Sequence, residues 1–223
     1  YKNLKQNIMR RFFSIVMCAT AVFCSAEAFA QAQKSDKDLK KELKERVDRD
    51  CKKEAKILEK EGWKVMPGKL PLERQLQDSR YAELQEDERG EAYYIIGTHM
   101  SKGGNYTAAK KIADSRAMTE IAEKISSQIA ELVKENVANH DYGEGDIEVI
   151  DKFVSSNKHL VNARLTKAIP LLEIYREVVG GAYEVRVMIA VRAKEAIRAA
   201  KSAYVSELAK ESETLAKELD SIL

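Results

Sequence analysis

Histidines are the residues here most suited to metal ligation or acid–base catalysis, and the chain has three: His99, His140 and His159. No two lie four residues apart and no HExxH motif occurs, so a metal site would need them to meet by tertiary folding. We expect them to be surface or half-buried side chains. No metal site is predicted.

The glycine-containing segment Gly97–Thr107 (GTHMSKGGNYT) links a predicted strand to a predicted helix, a place where phosphate-binding loops occur. It has neither GxxxxGK[ST] nor GxGxxG, so we expect it only to end the strand, with Asn105 or Thr107 capping the helix. There is no GxSxG motif, and the acidic residues lie on solvated helix faces. The sequence predicts no catalytic residue, no cofactor and no enzymatic activity.

The charges are balanced. Lys+Arg number 38 and Asp+Glu 36, a formal net charge of +2. The lysine pairs at 52–53 and 110–111 have acidic neighbours, and no basic stripe is interleaved with aromatics. We predict no nucleic-acid partner.

The first thirty residues have the three parts of a secretory signal peptide. Arg10-Arg11 precede the uncharged run Phe12–Ala26, and Ala28-Phe29-Ala30 forms an A-x-A cleavage site. Met9 is the expected start, and the run falls short of the ~20 residues that a spanning helix needs. The predicted localisation is exported: periplasmic, outer-membrane-associated or secreted. Membrane association is left open, but not by a transmembrane helix.

Cysteine usage agrees with simple cleavage before Gln31. A lipidation site needs a small residue before the cysteine, whereas Phe23 precedes Cys24 and Met17 precedes Cys18. Cleavage therefore leaves Cys51 as the one cysteine of residues 31–223, which permits no intramolecular disulfide. We expect Cys51 to fill an apolar seam.

Beyond residue 30 we predict a charged helix in 31–62, a linker with a short helix in 63–90, and an α+β domain in 91–223. The first helix has a narrow apolar seam that either lies on the domain or binds a partner as a coiled coil. Gly62 is its expected C-cap, Trp63 anchors the linker, and Pro71 starts the short helix. The seam residues are Leu39, Leu43, Val47, Cys51, Ala55 and Leu58.

The α+β domain is predicted as a strand (92–100), a long helix (106–139), a helix capped by Asp146, a β-hairpin and a terminal helix (193–222). Alanines every four residues would let the long helix approach the sheet closely. Its apolar stripe is Ile112, Ile121, Ile125, Ile129, Leu132 and Val133, and the alanines are Ala109, Ala113 and Ala117. This order of elements favours a small antiparallel or mixed sheet packed on the long helix.

The hairpin turns at Gly180-Gly181, and a two-residue loop would place Val178 opposite Tyr183. Pro170 indicates a bulge near the start of the first strand. In this register one face is almost wholly apolar, and the other carries Tyr175, Arg186 and Met188. Those three residues are the predicted ligand or partner face.

Glu91–Ile129, with GTHMSKGGNYTAAKKIADSRAMTEIAEKI at its centre, and the hairpin IPLLEIYREVVGGAYEVRVMIAV together resemble the bacterial cell-envelope lipoprotein family named for a twenty-kilodalton lipoprotein. The resemblance implies a dodecin-like fold, a long helix on a three-stranded antiparallel sheet, in an envelope protein that is often dimeric. It implies no enzymatic activity and no catalytic residues. The chain departs from the family in having no cysteine that fits a lipidation site.

The leading functional prediction is a non-catalytic exported envelope protein that acts through protein–protein contacts, as a homodimer or with another envelope protein. The open edges of a three-stranded sheet suit such contacts. The alternatives are a periplasmic small-ligand-binding domain, which needs a pocket between sheet and helix, and a hydrolase whose site forms only in three dimensions.

Overall fold

The structure is a computed structural model that describes residues 36–137, 144–165 and 167–222. The elements in these ranges are α1 (Asp36–Lys60), α2 (Leu72–Leu84), β1 (Tyr94–Gly103), α3 (Tyr106–Val137), α4 (Glu144–Ser156), α5 (Lys158–Arg164), β2 (Ile169–Val178), β3 (Ala182–Arg192), α6 (Ala193–Leu208) and α7 (Glu213–Ile222). The predicted export signal, with Cys18 and Cys24, lies outside them, as does His140.

The chain divides into two compact units between Arg49 and Asp50, inside α1. The described part of the first unit is helix, and Leu39 and Leu43 are 51% and 47% exposed there. The seam is buried only in the second unit, at Cys51, Ala55 and Leu58.

Helix α1 ends in a Schellman motif centred on Gly62, which has a φ of +87°. The Gly62 N–H donates to the Glu59 carbonyl at 3.1 Å, and the Trp63 N–H donates to the Leu58 carbonyl at 3.0 Å. These bonds satisfy two carbonyls at the helix end. Trp63 and Leu58 are both buried, so the predicted C-cap and the predicted anchor are confirmed.

The three strands form one antiparallel sheet in the order β1-β3-β2, with β3 in the middle. The chain is therefore an α+β protein with a small three-stranded antiparallel sheet packed on helices, as predicted. The first strand begins and ends later than expected, at Tyr94 and Gly103.

The predicted hairpin register is wrong by one residue. Val178 pairs with Ala182 instead of Tyr183, because the loop has three residues, 179–181, with both glycines at positive φ. The register shifts between Pro170 and Leu172, which confirms the predicted irregularity at Pro170. Helices cover both faces of the sheet, so the hairpin strands β2 and β3 each carry apolar residues on both sides. The alternation of apolar and polar residues therefore does not fix the hairpin register by itself.

Helix α3 crosses one face of the sheet and forms the main core. Seven of its buried residues recur every four positions: Ala109, Ala113, Ala117, Ile121, Ile125, Ile129 and Val133. They pack with Ile95 of β1, with Val185, Val187, Ile189 and Val191 of β3, and with residues of α4 to α7. Two predicted members of the stripe, Ile112 and Leu132, are instead 45% and 38% exposed.

Helix α2 covers the other face of the sheet at β2. Pro71 immediately precedes its first residue, so its fixed φ starts the helix. Leu72 and Leu76 are buried, and the Arg80 guanidinium lies 3.6 Å from the Glu54 carboxylate of α1. On this side the Arg176 guanidinium lies 4.7 Å from the centre of the Trp63 ring.

The helical regions around the hairpin differ from prediction. Helix α4 begins at Glu144, before the predicted cap Asp146, and ends at Ser156, after which α5 forms a separate helix. The predicted terminal helix is two helices, α6 and α7. Ser212 accepts a hydrogen bond from the Leu215 N–H at 3.3 Å and caps α7, a signal readable in the sequence Ser212-Glu213.

No helix within the described ranges is both long and apolar enough to cross a membrane.

Candidate functional site

The predicted face of Tyr175, Arg186 and Met188 does not exist as one surface. Tyr175 pairs with Val185, which points into the core under α3, whereas Arg186 and Met188 belong to the opposite face with Leu172. The one-residue difference in register separates them. Whether any of the three contacts a partner stays a prediction, but they cannot do so together.

Sequence reasoning did not find a group of polar side chains that surrounds Glu173 on β2. Glu173 is buried, and its Oε1 accepts a hydrogen bond from the Tyr106 hydroxyl at 2.6 Å. Its Oε2 lies 3.2 Å from the Lys110 ammonium and 3.6 Å from that of Lys69. The Glu173 N–H donates to the Gln75 side chain at 2.8 Å.

The Glu173 carboxylate is held in its charged form. Burial alone would raise its pKa, but the Tyr106 hydrogen bond and the Lys110 and Lys69 charges outweigh burial, so the pKa lies below its ordinary value. Burial and the bond to this carboxylate raise the pKa of Tyr106. A carboxylate with a low pKa and both oxygens occupied is a poor general base. The cluster therefore ties α2, α3 and β2 together and offers no free reactive group.

Asn105, Cys51, His99 and His159 are the other chemical candidates that the structure describes. Asn105 caps α3, accepting a hydrogen bond from the Ala108 N–H at 2.8 Å, and Cys51 is buried in the seam. His99 is half-buried in β1, and His159 is exposed in α5. Within the described ranges no three His, Cys, Asp or Glu side chains group as metal ligands.

The outer edge of β1 is covered by side chains of α3 in its first half only. Antiparallel pairing with β3 leaves the N–H and C=O groups of alternate residues pointing away from the sheet. At Thr98 the outward N–H donates to Glu120 Oε2 at 2.9 Å, and at Ile96 the carbonyl accepts from Lys124 Nζ at 2.7 Å. Two side chains of α3 thus occupy positions that a neighbouring strand would fill.

Glu120 and Lys124 also pair with each other, at 2.7 Å. Burial raises the Glu120 pKa, but the hydrogen bonds from Lys124 and from the Thr98 N–H outweigh it and lower the pKa overall. Glu120 and Lys124 stand one helical turn apart, a spacing visible in the sequence. Their reach to the β1 backbone was not visible, because it depends on how α3 crosses the sheet.

The hydrogen bonds from α3 side chains to the outer edge of β1 end at Thr98. Met100 and Lys102 share the parity of Ile96 and Thr98, so their backbone groups also point outward. No hydrogen bond from any described residue reaches those groups, and Met100 is 53% exposed. Beside the covered half of the edge, a groove of about 720 Å³ runs between β1 and α3.

The middle of the opposite edge of the sheet, at β2, is covered by the chain itself. Lys64 forms a one-residue bridge with Tyr175, with N···O distances of 2.7 and 2.9 Å. The Gln75 side-chain oxygen accepts a hydrogen bond from the Glu173 N–H. The two edges therefore differ in where they are covered: β2 is covered at Glu173 and Tyr175 in its middle, and β1 is open in its second half.

No family model, curated protein or solved structure matches this chain. The resemblance to the lipoprotein family stays a prediction.

Proposed function

We propose that this protein is a non-catalytic, exported protein of the bacterial cell envelope that acts through protein–protein contacts, and that its first partner is a second copy pairing along the outer edge of β1. The observation that carries the proposal is the open backbone at Met100 and Lys102 on the β1 edge, whereas the β2 edge is already paired in its middle, at Tyr175. The signal-like order of residues 10–30 supports export.

An open strand edge is a template for another strand, because unpaired N–H and C=O groups gain hydrogen bonds when a partner strand docks. Two β1 strands related by a two-fold axis would pair antiparallel and give one six-stranded sheet. Centred on Ser101, such pairing sets Met100 opposite Lys102 of the second copy, so it uses the open part of the edge and brings no like charges face to face.

Met100→Pro tests this contact. Proline removes the outward N–H of Met100, which the β1–β3 ladder does not use, so the protomer should still fold. Met100→Leu is the matched control, since it changes the side chain and keeps the donor. We expect sedimentation equilibrium of the exported protein to show a dimer for wild type and Met100→Leu, and at least tenfold weaker association for Met100→Pro. A wild-type monomer at high concentration, or equal association of all three proteins, would overturn the proposal.

Export is tested separately by mass spectrometry of the protein from fractionated cells. We expect an N-terminus at Gln31 in the envelope or periplasmic fraction. An acylated Cys24 would contradict simple cleavage, and an uncleaved chain in the cytoplasmic fraction would contradict export.

A further inference from the structure

A second surface, different in charge from the groove beside β1, is a cleft. It lies between the loop at residues 87–93, the second half of α3 and the first half of α6. Its volume is about 570 Å³. Protein pockets that hold small organic ligands fall in the range of roughly 300–1,000 Å³. The cleft is therefore the size of a small-molecule site.

The floor of this cleft is apolar. Leu132 of α3 and Ile197 of α6 line it, with Ala92 and Tyr93 from the loop and Ala193 at the start of α6. Leu132 belongs to the predicted core stripe of α3 yet is 38% exposed. When an apolar ligand covers an apolar side chain in a cleft, that side chain leaves water and the free energy of the complex falls.

The rim of the cleft is positively charged. Five basic residues line it: Arg89, Arg192, Lys194, Arg198 and Lys201. Three acidic residues line it: Asp87, Glu91 and Glu195. The formal net charge of the cleft lining is therefore +2. The groove beside β1 has the opposite sign of charge. Four glutamates and one cation, Lys124, line it, so its formal net charge is −3.

Two of the three acidic side chains at the cleft already accept hydrogen bonds or form an ion pair within the protein. Asp87 accepts hydrogen bonds from the backbone N–H groups of Arg89 and Glu91, at 2.8 and 3.1 Å. Glu195 pairs with Arg192 at 3.0 Å.

Two cations at the cleft form no direct ion pair: Lys194 attracts Asp87, and Arg198 attracts Glu195, only through longer-range charge interactions. Lys194 and Arg198 stand one helical turn apart on α6, and neither is within 4 Å of a carboxylate in the part of the chain that the structure describes. Like charges at this spacing destabilise a helix slightly. An anion placed between them would relieve that repulsion and gain charge-assisted hydrogen bonds.

We infer that this cleft binds a single-chain anionic amphiphile, a medium- to long-chain fatty acid, with its carboxylate at Lys194 and Arg198 and its alkyl chain on Leu132 and Ile197. The apolar floor and the cationic rim each match one half of such a molecule. A peptide helix, about 10 Å across with its side chains, is a poorer fit to a cleft of this volume.

Calorimetric titration of the exported protein with dodecanoate tests the inference, with octanoate and dodecylamine as comparison ligands. We expect dodecanoate to bind and dodecylamine not to. Four fewer methylenes should weaken octanoate by about two orders of magnitude, at roughly fourfold per buried methylene. Added salt should weaken dodecanoate binding by screening the charges.

Charge reversal locates the head group. Lys194→Glu with Arg198→Glu should weaken dodecanoate binding at least tenfold, and Lys217→Glu with Lys210→Glu, on exposed surface outside the cleft, should change it less than twofold. Ile197→Ser tests the floor and should weaken dodecanoate more than octanoate. Equal thermal unfolding of the variants excludes a folding defect.

Three results would overturn the inference: no dodecanoate binding to wild type, equal binding of dodecylamine, or unchanged binding by the Lys194/Arg198 variant. None of them bears on self-association through β1, which the Met100 variants test independently.

Discussion

A side-chain carbon added to Gly97 of β1 would lie 2.1 Å from the carbonyl oxygen of Ala117 in α3. The helix therefore rests directly on the backbone of the strand. The same approach recurs at Gly103, where an added carbon would lie 2.7 Å from the Ala109 nitrogen. Between these contacts, the Ser101 hydroxyl donates to the Ala109 carbonyl.

We predict that Gly97→Ala is strongly destabilising, because the obstacle is backbone that cannot rotate away. Overpacking costs typically about 1–3 kcal/mol and occasionally more, and we expect the upper end in urea unfolding monitored by circular dichroism. Gly104→Ala is the matched control: its added carbon meets nothing within 4 Å. A Gly97→Ala protein as stable as Gly104→Ala would show that α3 does not pack this closely.

The sequence predicts the features that depend on local chemistry. The alanine spacing of α3 indicated a close helix–sheet contact, Gly62 indicated a helix end, and Pro170 indicated an irregular strand. Each of these follows from the conformational or steric properties of one residue type. The α+β class followed from the order of the elements.

What the sequence did not predict depends on which surfaces meet. The hairpin register failed because α2 covers a face that we expected to be open, so Leu172 and Ile174 on one side and Val185 and Val187 on the other are all buried. The Glu173 cluster joins residues up to 104 positions apart in the chain, Lys69 and Glu173. No local pattern encodes such contacts.

The buried pair Tyr204 and Ser126 gives a second prediction. The Ser126 hydroxyl donates to the Ala122 carbonyl at 2.7 Å, so in the 2.9 Å contact between the two hydroxyls Tyr204 is the donor. Tyr204→Phe removes one neutral hydrogen bond and should cost about 1 kcal/mol. Ser126→Ala leaves the Tyr204 hydroxyl buried without an acceptor and should cost more, about 1–3 kcal/mol.

A double-mutant cycle measured by chemical denaturation checks this order. Once Tyr204 is Phe, Ser126→Ala should cost less than it does in wild type, because no hydroxyl is then stranded. Equal costs in both backgrounds would show that the two hydroxyls do not interact.

The third prediction concerns the pH dependence of stability through Glu173. Its pKa in the folded protein lies below the ordinary 4.5, so the ionised form stabilises the fold. That contribution is fully present above the pKa of the unfolded chain and is lost as the pH falls through the folded pKa. Glu173→Gln should therefore be less stable than wild type at pH 7, by roughly 1–3 kcal/mol, and the difference should shrink below pH 4.5.

Glu177→Gln is the control for Glu173, since Glu177 lies on the same strand but is exposed. Its stability difference from wild type should stay near zero across the titration. Stability curves of the Glu173 variant and wild type that run parallel from pH 7 to pH 3 would contradict the assignment of a depressed pKa.

The last prediction concerns the side chains that cover the first half of the β1 edge. Glu120 and Lys124 occupy the Thr98 N–H and the Ile96 carbonyl, which a docking strand would otherwise use. Replacing both by alanine should free these groups, lengthen the open edge and strengthen self-association several-fold in sedimentation equilibrium. The control is the same double replacement at Glu213 and Lys217, an exposed pair of equal spacing on α7, which should leave association unchanged. If a folded Glu120/Lys124 variant associates no more tightly than this control, the pair does not shield the edge, and the open backbone at Met100 alone must account for any dimer.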